Sequence, residues 1–335
     1  MNNISNTIKK PTYSTLSNKY GLEISISNFG ASLTSLKIPL PSGEKIDVVL
    51  GFDTVNNYKK SFDLPSAPYF GSIVGRYAGR IANGNFELDG KQHQLFQNNN
   101  RNSLHGGKEG FSQKNWIIID SKSTKNSSVT LEYTSPSYEE NYPGELKVLV
   151  TYTLSESNEL AIEYNAISSE DTIINLTHHS YFNLDGHAST IENQKLMVAS
   201  NTLLETNKDN IPTGSFIDLS DHEFNFNVPK KCPIVIDNTF VIADSGDVVS
   251  ASLFNPKNNL KMEVITNQPG IHIYVGGNCF GKIKGKEGAH YHPLSGICFE
   301  TQNYPDAPNH DNFPNAVIKK GERYYHKTIY RFKFE

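Results

Sequence analysis

The stretch Asn85-Phe86-Glu87-Leu88-Asp89-Gly90-Lys91-Gln92-His93-Gln94-Leu95 decides the fold. Phe86 and Leu88 flank a polar Glu87, and alternation resumes after Asp89-Gly90 and runs to Leu95. Side chains in a strand point to opposite faces in turn, so a period of two marks a half-buried strand. Asp-Gly between two such runs supplies two positions that accept positive φ, the requirement of a tight hairpin turn.

The same period recurs outward from this hairpin. Residues 22–26 and 131–133 alternate, and 127–134, 146–154, 160–167, 172–184, 260–266, 271–275 and 324–334 also read as strands. The only helical signal is short, over residues 53–62, with Asp53 or Thr54 as its cap. No segment keeps an apolar stripe at helical spacing over several turns, and no repeat, low-complexity linker or shift in composition marks a boundary. The expectation is all-β: one large single-domain β-sandwich over residues 1–335 with a few short helices.

Composition narrows the function. The 335 residues carry 31 Lys and Arg against 35 Asp and Glu, a net charge of −4, and the basic residues form no dense run. Nothing there attracts nucleic acid or an anionic bilayer. No stretch approaches the ~20 apolar residues needed to span a hydrocarbon core. The first twenty residues lack the apolar segment of a secretory signal. Cys232, Cys279 and Cys298 are far apart with no C-x-x-C pair, which reads as free buried thiols in a reducing cytoplasm rather than a disulfide or zinc framework.

The common signatures of nucleotide binding, of an elbow serine and of a helix-borne zinc site are missing. Four clusters remain. Gly75-Arg76-Tyr77-Ala78-Gly79-Arg80-Ile81 bends the backbone around two guanidiniums, whose rigid donors suit carboxylates or vicinal hydroxyls. Asn102-Ser103-Leu104-His105-Gly106-Gly107 places a histidine where a ligand can approach the backbone closely. In Thr177-His178-His179-Ser180-Tyr181-Phe182-Asn183, strand parity separates the two histidines. His179 falls on the more polar face with Tyr181, which argues against both rings holding one metal. Glu300 follows an apolar run from Gly296 to Phe299, where partial desolvation suits a carboxyl to proton transfer. Each cluster alone has an ordinary structural reading: a turn arginine, a turn histidine, a solvated strand-end glutamate. His290-x-His292 is a further possible metal pair, but Gly288 and Pro293 around it favour a loop.

Taken in order, GRYAGRIANGNFELDG (75–90), NSLHGGKEGF (102–111) with Trp116, NLTHHSYFNL (175–184), IDNTF (236–240), NQPGIHIY (267–274) and CFETQNYPDAPN (298–309) resemble the aldose 1-epimerase, or galactose mutarotase, family over nearly the whole chain. The resemblance implies a β-supersandwich that interconverts α and β anomers of free aldohexoses with no cofactor and no metal. It implies Glu300 as catalytic base and His179 as catalytic acid. Arg80, His105, Asp237 and Gln268 would bind sugar hydroxyls or orient the ring, and Asp237 and Gln268 rest on the resemblance alone. Three positions depart from the family pattern: Gly79 and His178 each stand where asparagine is usual, and Asn238 where histidine is common. They bear on which hexose is preferred, since discrimination depends on such contacts.

Mutarotation needs only proton transfers, from the C1 hydroxyl and to the ring oxygen, with the roles reversed on closure. An imidazole with the ordinary value of about 6.5 can serve as acid or base near neutrality. The expected partner is a small monosaccharide, with no nucleic acid or membrane, for a cytoplasmic chain that is a monomer or weak homodimer. The competing readings are a non-catalytic carbohydrate-binding sandwich, a sugar-phosphate 1-epimerase with an anion pocket near Arg76 and Arg80, and a glycoside hydrolase using Glu300 with Asp237.

Overall fold

A computed structural model of the chain describes residues 12–335 apart from 124, 244 and 277–280. Cys279 and the first eleven residues thus lie outside the described part. The opening hairpin is as read: Asn85–Leu88 pairs with Lys91–Gln94, and Asp89 and Gly90 take φ of 51° and 74° in the turn. The short helix is Val55–Ser61, capped by Thr54, whose hydroxyl accepts from the Asn57 amide.

Three antiparallel sheets dominate. The largest has nine strands in the order Ile117–Lys122, Ser127–Ser135, Leu146–Leu154, Glu159–Ser168, Arg323–Phe334, Leu260–Thr266, Val249–Asn255, Lys195–Val198 and Lys230–Lys231. A six-stranded sheet runs Tyr181–Phe182, Ile297–Gln302, Gly270–Val275, Ile236–Val241, Thr202–Thr206, Pro212–Asp218. A four-stranded sheet holds Tyr13–Ser17, Glu23–Ser27, Leu33–Pro39 and Lys45–Asp47.

One apolar core joins all three, taking Leu36 from the smallest, Val150, Ile162 and Phe332 from the largest, and Ile271, Ile273 and Phe299 from the six-stranded sheet. Phe182 lies between Phe299 and Tyr330, ring centroids 6.1 and 5.0 Å away, and seals the two larger sheets face to face. Burial of such a side chain is worth about 1.5–3 kcal/mol.

The period of two then does something the core alone does not require. In the six-stranded sheet, Ile236 and Phe240, Ile271 and Ile273, and Ile297 and Phe299 point into the core. Their neighbours Asp237, Thr239, His272, Tyr274, Glu300 and Gln302 line a cavity on the opposite face. A polar wall is the necessary reverse side of an apolar one.

Residues 172–184 depart from the single strand expected of them. They form three two-residue ladders: Thr172–Ile173 with Val317–Ile318, Thr177–His178 with Ile73–Val74, and Tyr181–Phe182 with the Ile297–Gln302 strand. Between ladders a side chain satisfies the backbone instead. Asn175 Nδ2 donates to the Ala78 and Asn303 carbonyls, and its Oδ1 accepts from the Asn303 amide. Buried backbone groups find partners even where the ladder breaks.

Candidate active site

The cavity encloses about 310 Å³, the size of a small-molecule cleft. The two glycine-containing motifs meet at its edge, because Arg80–Ile81 pairs with Ser103–Leu104. Asp306 ties the loop after Glu300 to the same place: its amide donates to the Arg80 carbonyl, and its Oδ1 accepts from the Ala82 amide.

His179 and Glu300 sit side by side on the cavity wall, 4 % and 2 % exposed. His179 Nε2 is 3.4 Å from Glu300 Oε1, and its Nδ1 is 3.6 Å from Cys298 Sγ. The His179 amide donates to the Ser72 carbonyl, and its own carbonyl accepts from Gly71. Aromatic rings surround the imidazole: Tyr69 at 5.6 Å, Tyr181 at 5.3 Å and, edge-on, His105 at 5.4 Å.

His105 adopts φ of 52°, and the Gly79 amide donates to its Nδ1 at 3.3 Å. Burial, then the neighbouring charges of His179 and Arg80, hold its pKa well below the ordinary value. The ring is therefore neutral at pH 7 with Nδ1 as acceptor, so Nε2 carries the proton and can donate into the cavity. That tautomer also decides a metal question. His105, His179 and Glu300 offer ligand atoms within 4.8 Å of one another. Ligation needs a free imidazole lone pair, and His105 has committed its own to Gly79, so these residues do not fit a metal as they stand.

Arg80 and Asp237 face each other at 3.7 Å, and Arg80 Nε donates to Asn99 Oδ1. Asp237 also accepts from His272 Nε2 at 2.8 Å and from Asn210 Nδ2 at 2.8 Å. Burial opposes its ionisation, but the hydrogen bond and charge of His272, then the charge of Arg80, prevail and hold the carboxyl at about 2. For His272, burial disfavours the proton, yet the bond and charge of Asp237 raise its pKa overall. Its Nδ1 lies 2.9 Å from the Thr239 hydroxyl, so both ring nitrogens are engaged by neighbouring side chains.

Of the residues expected at the site, Glu300, His179, Arg80, His105 and Asp237 line this one cavity. Gln268 does not. It lies in the turn before the Gly270–Val275 strand, where its amide donates to Thr266 Oγ1 and its side chain to Asn267 Oδ1. The strand delivers His272 and Tyr274 to the wall instead, and His272 stands in register opposite Glu300. His272 lies inside the 267–274 motif, but only Gln268 of that segment is expected at the site; the strand alternation that puts His272 on the face opposite Ile271 and Ile273 is the signal that could have found it.

Gln302, in the same apolar-edged run as Glu300, was also missed. It lines the cavity, and its buried Oε1 accepts no hydrogen bond from the described residues. Of the aromatic residues in these motifs, Tyr181 lines the wall, Phe182 is core, and Tyr304 packs away against Phe313. Tyr69, unforeseen, also lines the wall, and burial pushes its hydroxyl up to about 12, so it stays a donor.

Two of the three departures fall away from the cavity. His178 packs against Tyr152 and Tyr330 in the core, and burial lowers it to about 3. Asn238 has the opposite parity to Asp237 and is not a lining residue. Gly79 does line the wall, with φ of 80° and an added Cβ only 2.9 Å from Pro305. Arg76 is not at the site: it is 2 % exposed and donates to Ser135 Oγ and the carbonyls of Ser135, Pro136, Pro143 and Gly144. His290 and His292 are exposed, and His292 caps the turn at Pro293–Ser295.

Known proteins resemble this chain over nearly its whole length. A family model described as aldose 1-epimerase matches residues 13–331. Galactose mutarotase of Bos taurus is 38 % identical over 93 % of this chain and 91 % of its own. An aldose 1-epimerase of Haemophilus influenzae is 32 % identical over 95 % of each. The crystal structure of an aldose epimerase homologue from C. elegans is 30 % identical, covers 97 % of this chain and 99 % of its own, and superposes with a TM-score of 0.88. With its sheets, its cavity and its sequence in accord, the chain belongs to the aldose 1-epimerase family.

Proposed function

We propose that this protein is an isomerase that interconverts the α and β anomers of free aldohexoses such as galactose and glucose. Glu300 is the base and His179 the acid. The observation that carries the reading is the 3.4 Å between His179 Nε2 and Glu300 Oε1. The two oxygens that exchange protons in mutarotation, the C1 hydroxyl and the ring oxygen, are bonded to the same carbon. An acid and a base this close together can each reach one of them. The carboxyl pairs of glycoside hydrolases are set about 5 Å or more apart around a longer reaction axis.

Glu300 takes the proton from the C1 hydroxyl while His179 gives one to the ring oxygen, and the bond between C1 and that oxygen breaks. The open aldehyde turns about C1–C2 and presents its other face. His179 then withdraws the proton from the C5 hydroxyl as that oxygen attacks C1, and Glu300 returns its proton to the carbonyl oxygen. Both residues end as they began. Each positioned group contributes roughly 10²- to 10⁴-fold.

The rest of the wall binds and orients the sugar. Arg80 and His105 through Nε2–H donate to hydroxyls, Asp237 and Gln302 Oε1 accept from them, and His272 holds Asp237 in place. Tyr181 and Tyr69 cover the apolar edge of the ring. A sugar phosphate is disfavoured because Arg76 is spent in the core and the charge of Arg80 is balanced by Asp237. The unpaired, buried Cys232 and Cys298 fit a reducing compartment, the cytoplasm.

Polarimetry of freshly dissolved α-D-galactose and α-D-glucose tests the assignment. Glu300→Gln and His179→Asn should each fold and lose at least 100-fold in rate. Near-wild-type rates in either variant would remove that residue from the mechanism.

A further inference from the structure

Residues 298, 300 and 302 of the Ile297–Gln302 strand share the face turned away from the core. His179 lies across two of them. Its Nε2 meets Glu300 and its Nδ1 meets the thiol of Cys298 at 3.6 Å, so one strand grips both ends of the imidazole. The thiol is fully buried, and Tyr181 stands in register opposite Cys298. Among the described residues no carboxylate bonds Nδ1.

We propose that Cys298 is a positioning residue for His179: its sulfur accepts the Nδ1–H, fixing the ring plane and the tautomer in which Nε2 alone exchanges protons. The inference rests on the acid role given to His179 above. Its physical content is the choice of tautomer. When the imidazolium gives its Nε2 proton to the ring oxygen, the remaining proton must stay on Nδ1, so that Nε2 is left with a lone pair able to take a proton back on ring closure. The opposite neutral tautomer, with the proton on Nε2, can donate once but cannot accept there. A neutral acceptor at Nδ1 also differs from a carboxylate in effect. A carboxylate would stabilise the imidazolium and make it a weaker acid. Burial, then the charge of Glu300, keeps the thiol protonated, so the sulfur holds the ring without pinning its charge.

The test uses Cys298→Ala and Cys298→Ser in the full-length protein. Cys298→Ala should lose about 10- to 100-fold in kcat, the cost of misplacing a reacting group by about an ångström, with KM changed less than twofold and the pH–rate profile displaced. Cys298→Ser, which keeps an acceptor, should recover most of the loss. Two-bond ¹⁵N–¹H correlation spectra report the tautomer directly: neutral His179 should carry its proton on Nδ1 in the wild type and shift toward Nε2 in Cys298→Ala. Wild-type kcat in Cys298→Ala, or an Nε2–H tautomer in the wild-type protein, would overturn the proposal. The wild-type spectrum decides even if the alanine variant does not fold. Activity surviving in His179→Asn would instead refute the acid assignment, a separate failure.

Discussion

Asp237→Asn removes a charge that faces both Arg80 and His272, and its effect on stability can be worked from the structure. The carboxyl falls from an ordinary 3.8 to about 2 in the folded protein, a difference worth about 2 kcal/mol. Its side chain is 27 % exposed to the cavity, and screening brings the expectation to about 1–2 kcal/mol. Because the folded value is depressed, this stability is complete above 3.8 and is lost as pH falls through about 2; about half is gone at pH 3. His272 moves the other way. Its folded value is raised above 6.5, so its share is complete below 6.5 and is lost as pH climbs through the folded value. The pair therefore stabilises the protein in a window, fullest near pH 5.5. Urea unfolding of wild type and Asp237→Asn at pH 3, 5.5 and 9 should give a stability difference that peaks at the middle value. A difference of the same size at all three would show that Asp237 acts as a hydrogen-bonding shape and not as a charge.

Two further outcomes follow from the neighbouring motifs. Arg76→Lys keeps a charge but cannot feed all five bonds of the guanidinium; unsatisfied buried acceptors cost about 1–3 kcal/mol each, so urea unfolding should register a loss of roughly 2–5 kcal/mol with KM unchanged, and a loss below about 1 kcal/mol would contradict the structure. Gly79→Ala places a Cβ 2.9 Å from Pro305 at φ of 80°, and should cost about 1–3 kcal/mol while raising KM by shifting Pro305 in the cavity wall; an unaltered melting temperature and KM would refute this.

The neighbouring histidines show what parity arguments can and cannot reach. Alternation alone puts His179 and Tyr181 on one face and His178 and Phe182 on the other, and the structure agrees. It does so although residues 172–184 are not a continuous strand. Each two-residue ladder keeps the alternation locally, while the chain changes partner between them. Those partners lie some 100 residues away or more, so no local pattern reports the breaks. Asp306, six residues after Glu300, does not line the cavity but braces the Arg80 segment, a partner that no local pattern announces.

Local chemistry written in the chain was enough for the strands, the Asp89-Gly90 turn, the apolar side of each sheet, and the kinds of residue gathered into motifs, because backbone sterics and side-chain alternation act over a few residues. The motifs were also enough to name the family. Which residues meet was settled only by the fold. Arg76 and Arg80 are four apart and similar in sequence context, yet one is sealed in the core and the other faces the cavity. Gln268 and His272 are also four apart, and only the latter reaches Asp237 and stands opposite Glu300. Tautomer and charge at the histidines likewise depend on partners supplied by other strands, since burial and hydrogen bonding are properties of the packed molecule and not of the stretch that carries the residue.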